Sequence, residues 1–439
     1  MKTWKAVLIA LLAVSIPVLL SFTLRKKSES KHHRTTYRSI PKGCVFRTVM
    51  GEEFSESADE NLIPEKVMRS INRGMDWVMK AQNQNGGWGA GTHQRQNITD
   101  PHSVQTDPAT TAIVAMALLR SNSTLTSGEN AHALYNALTY LLNATETSSP
   151  QRLNITDLTG TQIQVKLGAN IDVVLTSQFF SNLLDGNLNH DVTLKERVRK
   201  ANDLCVAKIQ RAQQGNGSFA GSGWAGVLQS SFATNALEAA QAQGARVDDK
   251  ILDKARDFQK NNYDSKTGDV KTDLGAGVML YSVTGSARAS AKEARKVDEE
   301  IQRAIHDGRL AQNAAPSAQN LEKIGFGKDE AIKYSTAYEV YQSAKVKAQN
   351  DEVMDGFGSN GGEEFLSYLQ TGESMIIGKD NAWKKWYDTM SARLLNIQND
   401  DGSWSGHHCI TSPVFCTATC LLILSVNNDV ENLEEQGRK

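Results

Sequence analysis

The chain has 439 residues, of which 40% are hydrophobic and 22% are charged, and its formal net charge is −1. This balance, without a long basic stripe in the soluble part, excludes nucleic-acid binding as the expected function. Five cysteines in a chain of this length exclude a disulfide framework as the main source of stability. Because single cores seldom grow beyond about 250–300 residues, we expect either two domains or one closed repeat structure.

The first predicted element is an apolar helix over Ala6–Leu24, which contains no charged residue and is flanked by basic ones. About 20 apolar residues in a helix span a bilayer. A cleaved signal peptide is the alternative, but its apolar core is usually about 7–15 residues long and ends in small residues. We therefore predict a single-pass membrane protein, and basic residues on both flanks leave the side of the membrane open. The predicted organisation is an anchor at 1–24, a polar linker at 25–62, the folded domain at 63–428 and a polar tail at 429–439.

The folded domain repeats one pattern three times. The three segments are Gln82-Asn-Gln-Asn-Gly86-Gly-Trp88, Gln213-Gln-Gly-Asn-Gly217-Ser-Phe219 and Gln398-Asn-Asp-Asp-Gly402-Ser-Trp404. Each follows an amphipathic helical pattern and precedes a helix rich in small residues. Glycine permits the left-handed backbone that ends a helix, the aromatic ring then packs over the turn, and the glutamine amide can bond the backbone of a neighbouring helix.

Weaker copies of this arrangement fill the rest of the domain. The predicted pairs are 75–79 with 110–119, 131–142 with 172–184, 204–209 with 230–237, 251–258 with 274–281, 334–345 with 363–372, and 390–397 with 414–424. About six pairs of roughly 60 residues predict an all-α fold, an α/α toroid with an outer and an inner ring of helices. An open solenoid is the alternative, but its repeats are shorter, at about 34–47 residues.

The Gln-x-x-x-Gly-x-Trp segments resemble the repeat motif of squalene and oxidosqualene cyclases, and the related protein prenyltransferase β subunits share the α/α toroid. The resemblance covers about residues 65–428. It implies a central cavity lined by the inner helices, which suits a polyisoprenoid or similar lipid ligand. We expect Trp88, Phe357 and Trp404 to line this substrate cavity.

The catalytic motif of the cyclases is absent from the sequence. Those enzymes protonate an alkene with the central aspartate of an Asp-x-Asp-Asp motif, and this chain has no such motif. Asp107 stands at a similar inner-helix start, where capping the helix is its alternative role. Glu363 and Glu364 follow a glycine-rich turn and are candidates either for general acid–base catalysis or for stabilising the helix start. The candidate catalytic residues are therefore Asp107, Glu363 and Glu364.

The zinc site of the protein prenyltransferases, built from Asp, Cys and His, is also altered here. By the resemblance, Cys416 stands where the histidine belongs, and Glu363 and Phe365 stand where the aspartate and cysteine occur. The remaining candidate metal ligands are His407, His408, Cys409 and Cys416, with Glu363 or Glu364 as a further candidate, and this combination of side chains can bind zinc. A disulfide between Cys409 and Cys416, or inert packing on a helix, remain open alternatives.

Three functions are consistent with the sequence. The first is an enzyme that acts on a polyisoprenoid or similar lipid and is held at the membrane. The second is a non-catalytic toroid that binds lipid, glycan or a protein partner. The third is a polysaccharide lyase, which would need basic residues and a calcium-type carboxylate cluster in the cavity, and we find no such cluster in the sequence. Convergence of the candidate residues on one cavity would favour the enzyme.

Overall fold

The computed structural model describes residues 63–184, 188 and 190–429. Its α-helices are α1 (Glu65–Lys80), α2 (Pro108–Arg120), α3 (Ala131–Thr147), α4 (Gln162–Lys166), α5 (Ile171–Leu184), α6 (Val192–Ala212), α7 (Gly226–Ala242), α8 (Asp249–Lys260), α9 (Met279–His306), α10 (Ala318–Lys323), α11 (Lys328–Lys347), α12 (Asp351–Met354), α13 (Gly362–Ile377), α14 (Trp383–Asn396) and α15 (Pro413–Leu424). Three short 3₁₀ helices lie at His93–Arg95, Pro101–Ser103 and Val426–Asp429. No β-strand occurs in these ranges, and the predicted all-α class is confirmed for them.

The predicted anchor and linker, and residues 430–439 of the predicted tail, lie outside the described residues. Within the described ranges, no helix combines the length and the hydrophobicity needed to cross a bilayer.

Six helices form a closed inner ring. Along the ring α2 packs against α5, α5 against α7, α7 against α9, α9 against α13 and α13 against α15, and α15 returns to α2. The outer helices α1, α3, α6, α8, α11 and α14 pack against the outside of this ring. Six helix pairs are present as predicted, but the inner helix expected at 274–281 begins at Met279 and runs to His306. The return of α15 to α2 excludes the open solenoid for the described part of the chain.

Four of the six inner helices are buried on every side, whereas the outer helices bury one face. Every residue of α2, α5, α13 and α15 is buried. Their many hydroxyl side chains find partners on their own helix, as when Thr371 donates to the Ser367 carbonyl and Thr419 to the Phe415 carbonyl. Since these four helices have no solvent-facing side, side chains fill the ring between them, and a ligand would bind at an end of the ring rather than along its axis.

Each Gln-x-x-x-Gly-x-aromatic segment forms a turn between an outer and an inner helix, which we call a corner. The glycines of the three corners have the left-handed backbone that the sequence predicted. Gly86, Gly217 and Gly402 have φ angles of +85°, +91° and +97°. A Cβ atom at any of them would lie 2.3–2.6 Å from a backbone carbonyl oxygen of the next outer helix. Only glycine therefore permits this close approach between the corner and its neighbour.

The corner glutamines fasten each pair to the next outer helix, as predicted. The Gln82 amide donates to the Ala133 carbonyl on α3 at 3.0 Å, and the Gln213 amide donates to the Ile251 carbonyl on α8 at 2.7 Å. The third, Gln398, donates to the Ser70 carbonyl at 2.9 Å. Because Ser70 lies on α1, the last corner joins the end of the ring to its beginning.

Two of the aromatic residues expected at the cavity have a structural role instead. The indole N–H of Trp88 donates to the Val78 carbonyl, and that of Trp404 donates to the Leu394 carbonyl, both at 2.8 Å. Both rings are fully buried. The prediction that Trp88 and Trp404 line a substrate cavity is therefore corrected, because neither ring has surface left for a ligand.

The C-terminal ends of the inner helices are joined by buried ion pairs. Arg120, at the end of α2, lies 3.4 Å from a Glu373 carboxylate oxygen and donates to the Leu422 carbonyl at the end of α15. On the neighbouring part of the ring, Glu238 pairs with Arg256 at 2.7 Å and with Arg288 at 3.5 Å. Because these charged groups are paired with one another, we expect a reactive site at the opposite end of the ring. We call that end the mouth; it is formed by the loops that lead into the inner helices.

Candidate active site at the mouth of the ring

The loops that lead into the inner helices are tied together by the Gln162 amide. Its oxygen accepts hydrogen bonds from the Thr411 N–H at 2.8 Å and the Ser412 N–H at 3.2 Å. Its nitrogen donates to the Ala90 carbonyl at 2.9 Å. One side chain, buried at the start of α4, thus joins the loops before α2, α5 and α15. This fixed frame can hold neighbouring side chains in defined positions.

Glu363 and Glu364 are adjacent buried carboxyl groups in the first turn of α13. Only 1% and 0% of their respective surfaces are exposed. Glu364 accepts hydrogen bonds from the Tyr281 hydroxyl and, at 2.8 Å, from the Gly361 N–H, while Glu363 accepts one from the Ile410 N–H at 3.2 Å. Glu364 thus caps α13 through the Gly361 N–H, as the helix-start alternative predicted, and Glu363 places a second buried carboxyl group beside it.

Burial raises the pKa of both carboxyl groups, and the neighbouring charge of Glu364 raises the pKa of Glu363 further. The hydrogen bond from Tyr281 favours the ionised form of Glu364. Burial and the Glu364 charge also raise the pKa of Tyr281, so its hydroxyl stays protonated and remains a donor. Two carboxylates this close do not both ionise readily, and the environment therefore places the retained proton on Glu363.

His408 and Cys409 complete the site from the loop before α15. The His408 Nε2 atom lies 2.7 Å from the Ser359 carbonyl oxygen and 3.9 Å from a Glu364 oxygen. Because a carbonyl oxygen only accepts, Nε2 carries the imidazole proton. The His408 Nδ1 atom is buried and has no hydrogen-bond partner among the described residues. The backbone of Cys409 lies in the left-handed region at φ +56°. This conformation costs a non-glycine residue about 1 kcal/mol or more, and it is found at functional sites more often than elsewhere.

Three of these side chains form a group that fits a metal ion. A Glu363 oxygen, a His408 nitrogen and the Cys409 sulfur all lie within 4.8 Å of one another. Carboxylate, imidazole and thiolate are zinc ligands, and the His408 Nδ1 lone pair has no other partner. Burial and the Glu363 carboxyl raise the pKa of Cys409 to about 12, so a bound cation would have to displace the thiol proton.

The other predicted metal ligands lie apart from this group. His407 is exposed, and its backbone N–H donates to the Asn360 carbonyl. Cys416 is buried on α15, and its thiol donates to the Ile410 carbonyl at 3.5 Å. The predicted set is therefore corrected to Glu363, His408 and Cys409. Cys409 and Cys416 are both free thiols, so the disulfide alternative is not realised here.

Asp107 has the helix-capping role that was its alternative. Its carboxylate accepts hydrogen bonds from the Thr110 N–H and hydroxyl at 2.8 Å and from the Ala90 N–H at 3.1 Å. These bonds hold the start of α2 to the first corner. The structure does not bring Asp107 into contact with Glu363 or Glu364.

Phe357 is the one predicted cavity residue that lies at the site. Its ring meets the His408 ring edge-on, with centroids 5.3 Å apart, and 47% of its surface is exposed. The sequence analysis missed Tyr281 and Lys166, which contact Glu364 and Cys409 respectively. The helix that carries Lys166 could have been predicted from its Thr161–Gln164 capping box, but nothing in the sequence signals Lys166 as a site residue.

Comparison with known proteins gives no family assignment. No protein-family model matches the chain, and no curated protein matches it. Among solved structures, the chain is similar to the type II terpene cyclase MstE from Scytonema without ligand, at 14% identity and a TM-score of 0.44, over 83% of this chain and 98% of that one. It is also similar to a complex of a variant of that enzyme with geranylgeranyl dihydroxybenzoate (13% identity, TM-score 0.39, 83% and 98% covered) and to one of another variant with merosterolic acid A (12%, 0.40, 83% and 97%). These values are too low for an activity to be transferred.

Proposed function

We propose that this protein is an enzyme that acts on a polyisoprenoid or similar lipid by donating a proton from Glu363. The observation that carries the proposal is the buried Glu363–Glu364 pair at the mouth of the ring. A general acid needs a carboxyl group that is still protonated near neutral pH, and burial next to a second carboxylate provides this. Tyr281 and the Gly361 N–H hold Glu364 in its ionised form, so the two carboxyl groups have different roles.

The surface around the mouth supports an apolar ligand. Three large apolar side chains at the entrances of successive inner helices are exposed: Trp224 before α7 at 59%, Met279 at the start of α9 at 37%, and Phe357 before α13 at 47%. Because side chains fill the ring between the inner helices, we propose that a lipid chain lies across these residues rather than along the axis. The proton of Glu363 would then be delivered to the part of the lipid nearest the mouth.

The predicted apolar segment Ala6–Leu24 supports a membrane location for such an enzyme, because its substrate dissolves there. We propose that this segment anchors the chain. Alkaline extraction of membranes should leave the full chain in the pellet and release a chain that lacks residues 1–24, and release of both would contradict the anchor.

The test of the enzyme proposal is an assay on the full chain in detergent or in vesicles. Purified protein is incubated with squalene and with geranylgeraniol, and extracted lipids are separated and weighed by mass spectrometry. Proton-initiated rearrangement gives a product of unchanged mass and altered retention, while protonation followed by capture of water adds the mass of one water. Both outcomes should disappear with Glu363→Gln, and unchanged lipids throughout the panel would contradict the proposal.

A zinc enzyme is the second candidate, and the Glu363–His408–Cys409 group favours it. Zinc bound there would act as a Lewis acid and would stabilise a thiolate. The two candidates differ in the state of Glu363, which is a protonated donor in the first and a ligating carboxylate in the second.

Metal analysis separates these candidates. If zinc binds, the purified full chain should contain about one equivalent, Cys409→Ser should lose most of it, and Cys416→Ser should keep it, because the Cys416 thiol lies outside the ligand group. Cys416→Ser is thus the matched control for loss of a buried thiol. Zinc content near zero in the wild-type protein, or equal in the two variants, would contradict the zinc site.

A further inference from the structure

Lys166 is an unusually buried cation at the mouth of the ring. Only 3% of its surface is exposed, although lysine is almost never buried to this degree without a partner of opposite charge. Among the residues that the structure describes, no carboxylate oxygen lies within 4.0 Å of its ammonium group. Its recorded neighbours are the Trp224 ring, whose centroid lies 3.9 Å from Nζ, and the Cys409 thiol. Neither neighbour carries a negative charge that would balance the ammonium.

Trp224 covers Lys166 from the solvent side. Its backbone is held in place, because Trp224 N–H donates to the Val165 carbonyl at 3.2 Å and Ala225 N–H to the Lys166 carbonyl at 2.7 Å. The side chain is different, since 59% of the residue surface is exposed. The indole can therefore rotate away from the ammonium without unpacking the core, and the cost is the loss of one cation–π contact.

A second donor lies beside this position. The Nδ1 atom of His93 accepts a hydrogen bond from the Gln96 amide at 2.8 Å, which leaves the proton on Nε2. Burial and the nearby Lys166 charge lower the pKa of His93. The Gln96 amide also donates to the Cys409 carbonyl, so His93 is fixed to the loop before α15. An ammonium group with an imidazole N–H near it is suited to an oxyanion.

We propose that Lys166 and His93 form a binding site for a carboxylate or phosphate group, and that the indole of Trp224 is its movable cover. The bound anion would replace the indole over the ammonium and supply the missing negative charge. The proposal goes beyond the proposed acid chemistry, and binding at Lys166 can be measured whether or not Glu363 has a catalytic role.

Trp224 fluorescence provides the test on the full chain. Inorganic diphosphate and, below its micelle concentration, dodecanoate are titrated at constant ionic strength, and dodecanol is the uncharged probe. We expect at least one anion to change the fluorescence and dodecanol to leave it unchanged. Saturation by diphosphate identifies a free phosphate compound as the source of the anion, whereas saturation by dodecanoate alone identifies a lipid headgroup. No saturable response to either anion would overturn the site.

Variants separate a binding role from a structural one. Lys166→Met should weaken anion binding by about 10-fold or more, which is the expected effect of losing a charged hydrogen bond. Lys166→Arg should retain most of the affinity. Trp224→Phe should remove the fluorescence response and keep the binding heat in calorimetry. Lys80→Met, which removes an exposed lysine from the end of α1, is the charge control and should bind like the wild type. Equal affinity in Lys166→Met and wild type would overturn the assignment. If Lys166→Met is unstable, the arginine variant and the calorimetry of Trp224→Phe still decide it.

Discussion

Replacing Glu363 by glutamine is expected to lower turnover of the lipid substrate by ~10²–10⁴-fold, the usual contribution of a general acid. Glutamine keeps the size of the side chain and an oxygen for the Ile410 N–H, but it has no acidic proton. Because the change also removes one of two crowded carboxyl groups from a buried site, the thermal midpoint should stay the same or rise. Loss of turnover with an intact fold is therefore the expected combination.

The pH dependence of turnover is a second test of the role of Glu363. Activity should fall as pH rises through the raised pKa of Glu363, because the acid must be protonated. Glu364→Gln removes the neighbouring charge that raises this pKa, so the falling limb should move to lower pH. A variant that only disturbed the fold would lower activity at every pH and would leave the limb in place.

Asp107→Asn is the matched control for these experiments. Asp107 is also a buried carboxylate at the start of an inner helix, but it caps α2 and does not contact the carboxyl pair. Its replacement should lower stability by about 1 kcal/mol, the usual value of an N-cap, and leave the pH profile unchanged. Full turnover in Glu363→Gln together with loss of turnover in Asp107→Asn would place the acid on α2 instead of α13 and would contradict the proposal.

Replacing Trp404 by alanine is expected to lower the free energy of unfolding by about 3–5 kcal/mol. The indole is fully buried, its N–H donates to the Leu394 carbonyl, and its ring packs closely against Gly74 on α1. Alanine would leave a cavity at the joint between α14, α15 and α1. Denaturant unfolding followed by circular dichroism at 222 nm would measure the loss.

Two further tryptophan variants show which interaction matters at that joint. Trp404→Phe keeps most of the packing and removes the indole donor, while the Leu394 carbonyl still accepts from the Ile397 N–H at 3.2 Å, so loss of this hydrogen bond should cost about 0.5–1.5 kcal/mol. Trp224→Ala removes a tryptophan of equal size from an exposed position and should cost far less than Trp404→Ala. Similar losses for Trp224→Ala and Trp404→Ala would contradict the assignment of Trp404 to ring closure.

The ring could be predicted from the sequence because its repeat rests on local rules. Gly86, Gly217 and Gly402 lie where the chain needs a left-handed backbone. The glutamines four residues before them donate hydrogen bonds to the next outer helix. Such features are determined within a few residues of the corner. The helical periods on either side then fix the order of outer and inner helices.

The site was harder to predict because its residues come from different repeats. Tyr281 opens one inner helix and Glu364 another, 83 positions apart, and no spacing rule links them. For the same reason the metal set was only partly right. Neighbours in sequence, such as His407 and His408, point to different places, while Glu363 and Cys409 meet through the fold. The prediction that Trp88 and Trp404 line a cavity was wrong because an aromatic residue after a turn can equally well line a pocket or pack between helices.

The contact between Gln398 and Ser70 spans 328 positions of the chain. Arg73 on the same first helix donates to the carbonyls of Asn399 and Asp400, so several bonds connect the two ends of the ring. During synthesis the surfaces of α1 and α2 that receive α15 stay uncovered until α15 has left the ribosome, about 300 residues after α2. Until then they expose apolar surface that can associate with other nascent chains, and a chaperone that shields α1 and α2 would raise the yield of folded protein.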